Sequence, residues 1–172
     1  SVFLPPANNH DTIAPGAGGV LWLGTGQHVV RYHPDSGQTT VFATDAQDPD
    51  SRSVTGTTTI VEDRSGRVWM GSDWSGGGLD LLDPATGKFR HFRSDKTQAG
   101  NPAALADNNV STLYEDPQGR MWVGTNKGIN QVVTGAGGTV GFRNFQGADS
   151  VGAVKILAIR SDRAGMLWLS TA

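Results

Sequence analysis

The chain has no cysteine. That absence excludes disulfides, thiolate metal ligands and cysteine nucleophiles, and it leaves the compartment undecided. Histidine is scarce: His10, His28, His33 and His91 show no pairing at a short metal-ligand spacing. Charge is sparse too, with Asp, Glu, Lys and Arg at 17 % of residues against a usual ~25 %. The formal net charge is −2 and no run of five like charges occurs. This argues against a nucleic acid or an anionic membrane surface as the main partner. No stretch approaches the ~18 apolar residues that span a membrane. No charged-then-apolar leader opens the sequence, so any secretory signal is expected outside it. A Gly-x-Ser-x-Gly nucleophile elbow is missing. Gly76-Gly77-Gly78 lacks the Lys-Ser/Thr and the following helix of a phosphate loop.

What is plentiful is glycine, 24 of 172 residues, about twice the usual ~7 %. There are five tryptophans, and the 37 % hydrophobic fraction is enough for a core. The length sets a prior of one domain. Helix-length apolar periodicity is absent, which points to an all-β chain and makes an internal repeat the first thing to seek.

The repeat is present. Glu62 to Ser72 and Glu115 to Thr125 are identical at six of eleven positions, sharing Glu-Asp, Gly-Arg, Trp and Gly. Asp162 to Thr171 keeps the Asp, the Gly and the Trp, and Gly16 to Thr25 keeps the frame without the Asp. Trp22, Trp69, Trp122 and Trp168 follow one another at intervals of 47, 53 and 46 residues. That period, with several short strands in each copy, predicts β-propeller blades.

Each copy divides into strands. The first-strand slots are Val54 to Val61, Val110 to Tyr114 and Val154 to Ile159, and residues 7 to 14 fill the slot poorly in the first copy. An Asp-x-x-Gly turn follows, because Asp accepts backbone N–H bonds and Gly tolerates positive φ on exit. The second strands carry the tryptophans: Val20 to Gly24, Arg67 to Gly71, Arg120 to Gly124 and Met166 to Ser170. Third strands are expected over His28 to His33, Leu79 to Leu82 and Ile129 to Val133, and fourth strands over Thr39 to Phe42, Lys88 to Phe92 and Val140 to Phe145. The reading is about three and a half four-stranded antiparallel blades, at 7–46, 47–97, 98–148 and an incomplete 149–172. Ser1 to Phe3 fall where the fourth strand of a preceding blade would lie. Repeats bury their faces only against neighbours. The expected partners are therefore the remaining blades of a longer protein, or a second copy of the chain completing one ring.

The segment Val110-Ser-Thr-Leu-Tyr-Glu-Asp-Pro-Gln-Gly-Arg-Met-Trp-Val-Gly-Thr-Asn-Lys-Gly-Ile-Asn130 resembles the two-component regulator propeller repeat, and Asn101 to Asn109 resembles that family's blade-to-blade connector. The block around Trp69 matches almost as well. The resemblance implies an extracytoplasmic, periplasmic sensor region of a bacterial histidine kinase or hybrid two-component protein. It also implies a seven-bladed ring that is not catalytic and whose ligands are often glycans. This sequence contains no kinase, receiver or DNA-binding segment.

Trp22, Trp69, Trp122 and Trp168 read as inter-blade packing, each burying ~150–250 Å². Asp63, Asp116 and Asp162, with Gly66, Gly119 and Gly165, read as turn formers. One carboxylate per blade keeps them apart, whereas glycoside hydrolysis needs two within roughly 5–10 Å. Sialidase-type Asp boxes are one residue shorter. Asp73, Asp80 and Asp83 lack calcium-loop spacing, and no metal or cofactor is expected. The ligand candidates are Asp73 and Trp74, on an insertion that the other repeats lack, with Asn126, Lys127, Arg52 and Lys96 on loops and connectors expected to gather near the propeller axis. An exposed aromatic amid polar side chains suits a carbohydrate. The alternative reading is part of a propeller enzyme, resembling the streptogramin lyases or polysaccharide-active propellers, with its catalytic residues on other blades.

Overall fold

The computed structural model describes residues 12–26, 28–53, 56–74, 77–94, 104–145 and 154–172. Lys96, Ser1 to Phe3 and residues 7–11 lie outside them. Strands β1 (Thr12–Pro15), β2 (Leu21–Gly24), β3 (His28–His33) and β4 (Gln38–Ala43) form the first sheet in chain order. The second holds β5 (Thr59–Glu62), β6 (Val68–Ser72), β7 (Gly78–Asp83) and β8 (Lys88–Phe92), and the third β9 (Val110–Glu115), β10 (Met121–Thr125), β11 (Gly128–Thr134) and β12 (Val140–Phe145). A fourth, two-stranded sheet pairs β13 (Ile156–Ser161) with β14 (Leu167–Thr171). All pairings are antiparallel. The fold is a partial β-propeller. Among the described residues no helix is long and apolar enough to cross a membrane.

The cores lie between sheets, and Trp22, Trp69 and Trp122 each belong to the core made with the sheet that follows. Trp22 clusters with Val68, Met70, Leu82 and Phe89 of the second sheet. Trp69 clusters with Val110, Leu113, Val123 and Phe142 of the third. Trp122 clusters with Ile156 and Ile159 of the fourth. Trp168 departs from the expected packing: it is 65 % exposed, and among the described residues no sheet covers β13 and β14 on that side.

The Gly two residues after Trp22, Trp69 and Trp122 marks a close approach of blades. A Cβ on Gly71 would lie 2.8 Å from Thr59 Cγ2 and 3.0 Å from Val110 Cβ of the next inner strand. On Gly124 it would lie 2.6 Å from Thr112 Cγ2 and 2.9 Å from Ile156 Cγ2. Real Cβ atoms do not pack that tightly, so the position takes hydrogen only.

Of the strand expected over Val54 to Val61, Val54 and Thr55 lie outside the described residues, and the strand that follows does not start at Gly56. It begins at Thr59, because Gly56 turns the chain at φ 79° and Thr58 is already committed, its Oγ1 donating to Val110 O of the next blade at 3.0 Å.

Candidate functional site

The repeated carboxylates sit at the turn between first and second strands. Asp63 accepts from Ser65 N (2.9 Å), Ser65 Oγ (2.5 Å), Arg67 N (3.1 Å), Arg67 Nε (2.9 Å) and Trp69 Nε1 (2.8 Å). Asp116 accepts from Gln118 N (3.0 Å), Arg120 N (2.9 Å), Arg120 Nε (2.6 Å) and Trp122 Nε1 (2.9 Å). Asp162 accepts from Ala164 N, Met166 N and Trp168 Nε1. Gly66, Gly119 and Gly165 close these turns at φ near 80°. Arg67 and Arg120 then lie 5.4 Å over Trp69 and Trp122.

Burial pushes the Asp63 and Asp116 carboxyls up. Hydrogen bonds from Ser65, Trp69 and Arg67, and from Trp122 and Arg120, outweigh it and hold both below the usual carboxylate range. Asp162 is lowered chiefly by the Met166 and Trp168 donors. These carboxylates are spent on their own turns and are poor general acids at neutral pH.

The first repeat has Gly16 where the others have Asp. Its tryptophan is served from the next blade: Trp22 Nε1 donates to Glu62 Oε2 at 2.5 Å, and Ala17 N donates to Glu62 Oε1 at 3.2 Å. Glu115 repeats part of this reach, accepting from Arg64 N at 3.3 Å with Arg64 Nε at 3.8 Å. The Glu that precedes the Asp is therefore an inter-blade latch.

The connectors do not simply gather near the axis. The one after β4 runs along the outer strand β8: Phe89 N donates to Asp50 O at 2.8 Å and Lys88 Nζ to Asp50 Oδ2 at 2.9 Å. It is held by Asp80, a buried carboxylate on β7 that accepts from Ser53 N (3.0 Å), Ser53 Oγ (2.8 Å) and His91 Nδ1 (2.9 Å). The third blade has the equivalent arrangement. Asn130 Oδ1 accepts from Ala106 N at 3.0 Å, and Asn144 Nδ2 donates to Ala104 O at 3.1 Å. Spacing gave no sign of either pair, although a charged residue inside the apolar run Leu79 to Leu82 was a signal.

The ligand candidates divide. Trp74 is 56 % exposed, its Cβ 3.4 Å from where a Cβ on Gly56 would lie. Gly77, at φ 42°, brings the same loop against Asn108 of the next connector, a Cβ there falling 2.9 Å from Asn108 C. From the other side Asn126 N donates to Asn109 O (3.1 Å) and Lys127 Nζ pairs with Asp107 at 3.4 Å. The loop that carries Asp73 and Trp74 thus meets the connector 104–109 through Gly77, and Asn126 and Lys127 meet it as well, while Trp74 itself lies beside Gly56 of the preceding connector. Arg52 is a correction. Expected on the exposed face, it is 1 % exposed, with Nη2 donating to Thr57 Oγ1 at 2.5 Å. The connector folds it inward, and desolvation lowers its pKa to about 10 against the pull of Asp80.

Two concavities of about 350 and about 670 Å³ open on the turn side of the second blade. They are lined by Arg31, Arg67, Lys88 and Arg90 with Glu62, Asp83 and Asp50. Among the described residues no group of three or more His, Asp or Glu could hold a metal ion.

Residues 104–127 match the family described as two component regulator propeller. No curated protein matches the chain in sequence. Among solved structures, 95 % of the chain overlays 20 % of the extracellular domain of BT4673 from B. thetaiotaomicron, with TM-score 0.66 and 22 % identity. A second structure of that domain is described as part of a hybrid two component system (TM-score 0.64, 20 % identity, 92 % of this chain and 20 % of that one). PorZ of Porphyromonas gingivalis, a surface component of the type-IX secretion system, gives 0.71 at 20 % identity over 97 % of this chain and 25 % of its own. Virginiamycin B lyase from Staphylococcus aureus gives 0.65 at 16 % identity over 96 % and 50 %. These likenesses lie in the fold. The chain spans about a fifth of the length of the BT4673 domain.

Proposed function

We propose, from the two-component regulator propeller repeat at residues 104–127 as premise, that the chain is a non-catalytic segment of an extracytoplasmic bacterial sensor. It takes a glycan or another small polar ligand on the face formed by the Trp74 loop and the Asn126–Lys127 turn. The observation that supports this reading is an exposed tryptophan on a loop whose Gly77 meets the same connector, residues 104–109, as the polar Asn126–Lys127 turn. An indole face stacks on the apolar side of a sugar while amide and ammonium groups bond its hydroxyls. The fold likeness to the extracellular domains of BT4673 supports the sensing role. A further blade, from the same protein or a second copy, covers Trp168, Met166 and Leu157, which are exposed here. Mass measurement of the full-length protein tests the second copy, which a stable monomer excludes.

The lyase neighbour keeps an enzymatic reading open: a propeller whose catalytic groups lie on other blades. A glycan array run beside a lyase assay on the full-length protein separates the two. Binding that Trp74→Ala abolishes, without turnover, supports the sensor. Bond cleavage, or binding indifferent to Trp74, overturns it.

A further inference from the structure

His91 stands between two acceptors. Its Nδ1 lies 2.9 Å from Asp80 Oδ1 and its Nε2 lies 3.0 Å from Pro49 O. Carboxylate and carbonyl oxygens only accept, and a neutral imidazole has a single N–H. Both contacts are hydrogen bonds only when the ring carries two protons. We propose that His91 is a proton-operated clasp: as imidazolium it ties the connector before Ser53 to the second blade, and loss of one proton releases Pro49 O. The remaining N–H stays with Asp80, the charged acceptor.

The third blade supplies an internal control. Asp80 pairs with His91 across β7 and β8, as Asn130 pairs with Asn144 across β11 and β12. Asn144 Nδ2 bonds Ala104 O as His91 Nε2 bonds Pro49 O, and Ala106 N bonds Asn130 as Ser53 N bonds Asp80. One connector is therefore held by a titrating pair and the next by amides. In the first blade the same register holds Val30 and Val41, with no polar pair at all.

The charges around His91 favour its cationic form. Asp80 faces it from β7, and Arg93, just beyond β8, opposes it with Nη1 3.5 Å from Asp80 Oδ1 while its Nη2 donates to Ser53 Oγ. Arg52 on the connector lies in the field of Asp80, and Lys88 is neutralised by Asp50 at 2.9 Å. The Asp80 hydrogen bond raises the His91 pKa above its ordinary value, against partial burial and Arg93. Burial pushes Asp80 up, but bonds from His91 and Ser53 hold it below the usual carboxylate range. A raised histidine pKa means the clasp is complete below ~6.5 and is lost as pH rises from there through the value His91 has when bonded.

The amide of Phe89 reports the clasp, because it donates to Asp50 O beside Pro49; that of Ala106 reports the neutral counterpart. Hydrogen exchange on the full chain between pH 5.5 and 8.5, corrected for intrinsic rates, is read with the imidazole titration by NMR. Phe89 protection falls by up to about tenfold per pH unit above ~6.5 until His91 has titrated, while Ala106 stays level. His91 titrating at or below its ordinary value, or Phe89 and Ala106 responding alike, overturns the proposal. In the double variant Asp80→Asn, His91→Asn, which copies the third blade, Phe89 becomes level. A Phe89 response that survives this exchange also overturns it.

Discussion

Trp22 of the first blade hands its indole N–H to Glu62 of the second, over 2.5 Å, while every other repeat tryptophan bonds the Asp six residues before it. Glu62 occupies the space that an Asp at position 16 would need: a Cβ on Gly16 would lie 2.7 Å from Trp22 Nε1 and overlap Glu62 Oε2. Gly16 itself is extended (φ −119°), so any residue suits its backbone. The missing side chain and the neighbouring carboxylate are one solution reached from two blades.

A double-mutant cycle tests this. Glu62→Ala leaves Trp22 Nε1 and Ala17 N without their acceptor and costs about 1–3 kcal/mol. Gly16→Asp alone also destabilises, by crowding Glu62. Combined, the two variants restore a self-contained turn and lose less than the sum of the singles, by more than about 0.5 kcal/mol in denaturant unfolding. Additive losses contradict the coupling.

Asp116 is buried with all four donors in place, whereas Asp162 is half-buried and has three, Met166 standing where Arg120 supplies its side-chain N–H. Asp116→Asn costs about 2–3 kcal/mol, because one amide hydrogen must face Trp122 Nε1 or Arg120. Asp162→Asn costs distinctly less. Both carboxyls are lowered in the fold, so their contribution is present above their unfolded value of ~3.9 and is lost as pH falls below it. Acid unfolding profiles of the two variants check this: Asp116→Asn flattens the acid limb more.

Gly71→Ala inserts a methyl against Thr59 and Val110 at the seam of the second and third blades. The strands carrying both neighbours are fixed by pairing, and the loss is about 1–3 kcal/mol. Thermal unfolding reads it, and a neutral result refutes the steric reading of the Trp-x-Gly pattern.

Trp69 and Trp74 lie five residues apart and have opposite surroundings. Trp69→Ala costs about 3–5 kcal/mol, since the ring is fully buried and stacked on Phe92 at 6.2 Å. Trp74→Ala costs under about 1 kcal/mol. Equal losses would mean that Trp74 is a core residue.

The Asp–Trp turns were legible because all their parts lie within seven consecutive residues and recur. Most strand bounds followed from the same frame. The Glu62–Trp22 latch spans forty residues and two repeats, and its signal was indirect: a repeat lacking its acceptor. Asp80 and His91 meet through the register of β7 on β8, which no spacing rule reveals before the strands are paired. Arg52 was misplaced because a polar connector reads as solvated. Here that connector bends back between blades and draws the guanidinium in.

The belt of connector along β8 has a bearing on colloidal behaviour. An outer strand ordinarily presents a row of open amides that another molecule can extend. At Phe89 that amide is already taken by Asp50 O. Recruitment of a foreign strand at this margin first requires peeling the belt away, so resistance to self-association here is a property of a loop rather than of the sheet it guards.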